Sequence, residues 1–110
     1  MSKTVSVLLE LSMFPMDKGE SVSPYVSEIV KMLRDTHVDH QLTAMGTLIE
    51  TDTMSQALAL VERAYDTLDK LGCNRVYATV KFDIRKGKTD RLSQKVQSVT
   101  EKIGHIESVT

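Results

Sequence analysis

Residues Arg75 to Arg85 alternate without a break. Val76, Ala78, Val80, Phe82 and Ile84 fall on one face, and Arg75, Tyr77, Thr79, Lys81, Asp83 and Arg85 on the other. Period two over this length is the pattern of a half-buried β-strand, whose apolar face must be covered by something else. A second alternating stretch, Thr4 to Met13, sends Val5, Val7, Leu9, Leu11 and Met13 one way and Ser6, Leu8, Glu10 and Ser12 the other. Two long strands near the two ends of a short chain call for a sheet with helices packed on it.

The covering helices are legible between them. Pro24 suits a first helical turn after Ser21 or Ser23 as N-cap, and Val22, Val26, Ile29, Val30 and Leu33 then repeat as one stripe. Thr53-Met54-Ser55-Gln56 has the form of a capping box. It opens a helix with Met54, Ala57, Leu58, Val61, Ala64, Leu68 and Leu71 expected on the buried side and Gly72 past its end. Between the helices lies Gln41 to Glu50, β-rich and broken once at Gly46, which reads as two short strands or one kinked strand. Thr89 is expected to cap a final helix carrying Leu92, Val96, Val99 and Ile103.

The order is β-α-β-β-α-β plus a terminal helix. The fold class expected is α+β, a ferredoxin-like sandwich with a four-stranded antiparallel sheet, and residues 1–110 form a single domain. The first and last strands are expected side by side at the middle of the sheet, with Glu10 and Lys81 as neighbours on the face without helices. That second face, with Ser6, Leu8, Glu10, Ser12, Tyr77, Thr79 and Lys81, is neither a dry core nor a row of long charged chains. A solvated face, a contact with another subunit and a ligand floor all remain open for it.

Composition narrows the function classes. An apolar fraction of 41%, a charged fraction of 26% and a net charge of −1 describe an ordinary globular protein with no electrostatic pull toward nucleic acid or anionic lipid. No apolar run is long enough to span a membrane. The lone Cys73 excludes an internal disulfide and agrees with a cytoplasmic location. Chemistry is hard to find: no histidine stands in a position to activate Cys73, and His37, Asp39 and His40 sit in a connector without the spacing of zinc ligands. There is no phosphate loop and no dinucleotide fingerprint. No enzyme, no metal and no cofactor are expected.

Four pieces carry a resemblance to a known family. They are Ser12-Met13-Phe14-Pro15-Met16; Ser21-Val22-Ser23 with Tyr25-Val26; Gln41-Leu42-Thr43-Ala44-Met45-Gly46-Thr47-Leu48-Ile49-Glu50; and Arg75-Val76 with Val80-Lys81-Phe82-Asp83-Ile84-Arg85. With them the chain resembles the small thiamine-binding proteins of the YkoF-like superfamily over nearly its whole length. It departs at Ala44, where many relatives have proline, and at Thr51-Asp52, where a glycine is common. The resemblance implies a non-catalytic homotetramer, a dimer of dimers, that binds thiamine or its hydroxymethylpyrimidine part. It implies that Thr47 and Leu48 contact the pyrimidine, with Ser12 and Phe14 across the site. Physically, apolar walls such as Met13, Met45 and Leu48 would hold the ring faces, Gly46 lets a ligand come close to the backbone, and a thiazolium cation would favour a carboxylate, Glu10 or Glu50. The alternative is a regulatory or protein-interaction module whose sheet face serves only assembly.

Overall fold

A computed structural model describes residues 5–92. The elements are β1 (Val5–Pro15), α1 (Ser23–Asp35), β2 (Asp39–Thr43), β3 (Gly46–Thr51), α2 (Met54–Lys70) and β4 (Val76–Lys86). They form one antiparallel sheet in the order β2-β3-β1-β4, with both helices on one face: the ferredoxin-like α+β arrangement. The final helix expected from Thr89 enters the described residues only at Arg91 and Leu92; Val96, Val99 and Ile103 lie outside them.

The core is the space between sheet and helices. Val7, Leu9, Leu11 and Met13 of β1 and Ile49 of β3 meet Ile29 and Leu33 of α1 and Ala57, Leu60, Ala64 and Leu68 of α2. Each fully buried aliphatic side chain contributes about 1.5–3 kcal/mol relative to exposure. Thr53 and Gln56 do form the expected reciprocal capping box. At the other end of α2 the amides of Gly72 and Cys73 return to the carbonyls of Asp69 and Leu68. This Schellman closure needs the left-handed backbone that Gly72 supplies at φ +79°.

Glu10 and Lys81 are direct cross-strand partners on the open face, with Nζ 3.9 Å from Oε1. Their position in the sheet differs from expectation. β4 is an edge strand and the central pair is β1 with β3, because α2 carries the chain from β3 across β1 to its far side. An edge strand is poorly covered, so Phe82 and Ile84 are exposed rather than tucked beneath helices. On α2, Met54, Leu58 and Leu71 are also exposed, and Leu60 is the core residue in their place. The buried row keeps Ala57, Ala64 and Leu68 of the row expected and adds Leu60, with Val61 partly buried against it.

Two smaller corrections concern β1 and α1. β1 runs on through Phe14 and Pro15 instead of ending at Met13, because β4 continues to pair with it as far as Pro15↔Val76. The Met16 amide donates to the Arg75 carbonyl at 2.7 Å, so even-numbered residues of β1 turn their peptide groups toward β4. Pro15, an odd residue, directs its missing N–H to the opposite side, where no donor is required. At α1 the N-cap is Val22, whose carbonyl accepts from Tyr25 and Val26, and no side chain caps the helix.

Replacing Thr53 with alanine removes half of the capping box. Thr53→Ala is expected to lower the unfolding free energy by about 1 kcal/mol in urea titration, with an unchanged denaturant slope.

Candidate functional site

The stretch Gln41–Glu50 is a hairpin. β2 ends at Thr43, Ala44 and Met45 form the turn, and β3 begins at Gly46. Thr43 fastens it: its hydroxyl donates to the Gly46 carbonyl at 2.8 Å and accepts from the amides of Met45 and Gly46. Gly46 is required by close approach. A Cβ there would stand 3.1 Å from the Leu11 carbonyl oxygen and 3.4 Å from Cγ of Glu10.

Because the hairpin turns back at this point, β3 pairs with β1 only from Val7 to Leu11. β1 continues for four more residues with β4 on one side and, among the described residues, no strand on the other. By the alternation of a β ladder, Met13 directs its N–H and C=O toward that vacated side. The space left over is a cavity of about 250 Å³, bounded by Leu11–Phe14 of β1, Leu42–Ala44, Gly46 and Thr47 of the hairpin, and Val22, Val26 and Ile29 of α1. Its walls are mostly apolar, with a few strand-edge groups and hydroxyls, the general make-up of a small-molecule site.

Five of the nominated residues therefore come together here: Ser12, Met13, Phe14, Gly46 and Thr47. Thr47 and Met13 point to the helix side and are buried, whereas Leu48, Glu10, Ser12 and Phe14 project to the open face. Met45, at the tip of the turn, is 81% exposed and does not line the cavity. The wall from α1 is absent from the sequence reading. Its signal was the stripe Val22, Val26, Ile29, whose first turn extends past the hairpin and so has no strand of β3 beneath it.

Glu50 stands apart, at the opposite end of β3. Its carboxylate accepts from the Ser6 hydroxyl at 2.5 Å and from the amides of Arg91 and Leu92, each at 3.1 Å. The Arg91 guanidinium donates to the hydroxyl and carbonyl of Ser6 and to the Asp83 carbonyl, and pairs with the Asp83 carboxylate at 3.1 Å. Ser6 and Glu50 thus clamp the chain that follows β4 onto the open face. Burial pushes the Glu50 carboxyl up, but the Ser6 hydroxyl, the two amides and the Arg91 charge outweigh it and hold it below the ordinary value. On the same face Phe14 and Tyr77 are cross-strand neighbours with ring centroids 5.8 Å apart. A larger, shallower groove of about 440 Å³ lies at the Glu50 end, between α2 and the α1–β2 connection. Asp39, Asp52 and Arg63 give it charges of both signs, with His37 beside them.

Comparison with known proteins gives the family and the fold. The family model described as "Thiamine-binding protein" matches residues 9–100. The chain belongs to the thiamine-binding protein family. Relatives include a UPF0045 protein of Mycobacterium bovis, 39% identical over 95 residues that cover 86% of this chain and 92% of that one. Another, from Methanothermobacter thermautotrophicus, is 34% identical over 98 residues covering 88% and 99%. A crystal structure of a hypothetical protein from Methanocaldococcus jannaschii superposes with a TM-score of 0.74 at 29% identity, covering 87% of this chain and 97% of that one. The matched span contains β1 from Leu9 onward, the hairpin and α1, hence every wall of the 250 Å³ cavity.

The clamp makes a prediction about acid. A carboxylate whose folded pKa is depressed contributes stability that is present above its unfolded pKa and is lost as pH falls through the folded value. Glu50→Gln is expected to cost about 1.5–3 kcal/mol at pH 7. The difference from wild type should shrink as pH falls below about 4.3, where the unfolded carboxyl takes up its proton. Urea midpoints of both proteins between pH 7 and pH 2.5 measure it.

Proposed function

We propose that this protein binds thiamine through its hydroxymethylpyrimidine ring, without catalysis, in the cavity where β1 outruns β3. Its membership of a family described as thiamine-binding gives the ligand class. The observation that carries the placement is the pairing of β1 with β3 only as far as Leu11, which turns the Met13 peptide groups toward an apolar gap. An aminopyrimidine presents donors and acceptors in one plane, and a strand edge presents the same alternation. Met13, Val26 and Leu42 would hold the faces of the ring. The gap, about 250 Å³, is smaller than the roughly 300–1,000 Å³ of sites that enclose drug-sized ligands. It suits one ring, leaving the thiazolium outside.

The cation then needs a carboxylate near the cavity mouth. Glu50 is spent on the Ser6 and Arg91 clamp at the far end of the sheet. Glu10 packs its Cγ beside Gly46 and is half-exposed, with a 3.9 Å contact to Lys81 among the described residues. Glu10 is therefore the residue assigned to the thiazolium. In this reading the protein buffers, senses or delivers the vitamin, within a cytoplasmic homo-oligomer of four subunits.

Calorimetric titration with thiamine and with free hydroxymethylpyrimidine tests the reading, and no heat from either at millimolar concentration contradicts it. Thr47→Val keeps the shape and removes a hydroxyl at the cavity wall. It is expected to weaken both ligands by about tenfold, one hydrogen bond's worth. Glu10→Gln should weaken thiamine several-fold and leave the uncharged pyrimidine unaffected. Equal losses for the two ligands would remove Glu10 from the cation's site.

A further inference from the structure

The connection from β1 to α1, residues 16–22, ends at a wall of the cavity, and its fastening lies at its start. The Met16 amide donates to the Arg75 carbonyl at 2.7 Å, at the end of the β1–β4 seam. In a regular ladder the Arg75 amide would return to the Met16 carbonyl. It goes instead to Oδ1 of Asp17 at 3.3 Å, while the Asn74 amide donates to Oδ2 at 2.9 Å. One carboxylate thus ties the connection to the two residues that precede β4. The Asn74 amide above all holds the Asp17 carboxyl below its ordinary value.

Between Asp17 and the cavity the chain has little other support. Among the described residues Lys18, Gly19, Glu20 and Ser21 form no hydrogen bond. Val22 then serves as N-cap without a side-chain cap, so the incoming chain fixes the first turn of α1 from that end. In that turn Tyr25 packs against the core, whereas Val22 and Val26 wall the cavity. The deeper anchors of the helix, Ile29 and Leu33, come one and two turns later and are buried.

We propose that Asp17 is a positioning residue for the ligand cavity. Held against Asn74 and Arg75, it sets how closely the first turn of α1, with Val22 and Val26, stands over the bared edge of β1. Asp17 lies outside the cavity lining, so it acts through those valines and not by touching a ligand. A carboxylate suits the task, because two adjacent amides call for two acceptor oxygens and an uncharged amide side chain offers one. Asp17, Asn74 and Arg75 are all exposed. Water therefore takes over both amides when the carboxylate is removed, and folding itself loses little. What changes is the width of the gap between helix and strand, and a ring held on both faces depends on that width. The effect on affinity rests on pyrimidine binding in this cavity; the effect on the wall does not.

Two measurements on the full chain test the assignment. In Asp17→Ala without ligand, the methyl resonances of Val22 and Val26 should move while those of Leu33 and Leu68 stay in place, with the urea midpoint little changed. Calorimetric titration with hydroxymethylpyrimidine should show binding weakened by about tenfold, as expected when a contact wall is displaced by less than a bond length. Asp17→Asn keeps one acceptor and should lie between alanine and wild type. Glu20→Ala, in the same connection but without a hydrogen bond, should match wild type. Valine methyls unmoved in Asp17→Ala, or moved with pyrimidine affinity unchanged, overturn the inference, as does an equal loss in Glu20→Ala. Should wild type bind neither the pyrimidine nor thiamine, the binding reading falls and the methyl comparison alone decides on the wall. Should Asp17→Ala fail to fold, Asp17→Asn against wild type decides by the same two readouts.

Discussion

β1 is eleven residues long and β3 only six, and the site depends on that mismatch. A strand that outruns one neighbour must leave peptide groups unpaired on that side, and a buried, unpaired peptide group is costly. Here the excess falls next to the first turn of α1, which shields it from solvent on the helix side. The result is a small apolar gap with a strand edge along one wall. Gly46 lies where it begins, and a Cβ there would press on the Leu11 carbonyl. Thr43 fixes the turn that reverses the chain away from β1.

The opposite end of the same strands solves the same difficulty in another way. There Ser6 and Glu50 meet the amides of Arg91 and Leu92, and the Arg91 guanidinium takes the carbonyls of Ser6 and Asp83. A buried carboxylate that accepts three hydrogen bonds is tolerated because its charge is shared among donors and offset by a guanidinium. One end of the sheet is thus closed by the residues that follow β4, and the other carries the apolar gap. The two candidate glutamates therefore differ in surroundings: Glu50 is held by Ser6, Arg91 and Leu92, whereas Glu10 is half-exposed on the open face beside Lys81.

Much of this could be read in the residues, for identifiable reasons. Period-two alternation gave β1 and β4, and the Thr53–Gln56 box with Gly72 gave both ends of α2, because these signals are local. The pairing of Glu10 with Lys81 followed from topology and alternation together. What was not legible depends on lateral position in the sheet. Alternation looks the same in an edge strand as in a central one, so β4 was expected beneath the helices and Phe82 and Ile84 in the core. Leu58 and Leu60 are equally apolar in sequence, and only the direction from which α1 packs selects Leu60. Glu50 looked like a ligand group because its partners Arg91 and Leu92 lie forty residues further on. The wall supplied by Val22 and Val26 was hidden inside an ordinary amphipathic stripe.

The central claim is that the end of β1–β3 pairing at Leu11 creates the binding site. Amide chemical shifts followed during titration with hydroxymethylpyrimidine test it most directly. The account predicts saturable shifts concentrated at Met13, Phe14, Val26 and Thr47, with the Glu50 end and β4 beyond Lys81 unmoved. Shifts confined to the open face or to the groove around His37 and Arg63, with Met13 unchanged, would contradict it.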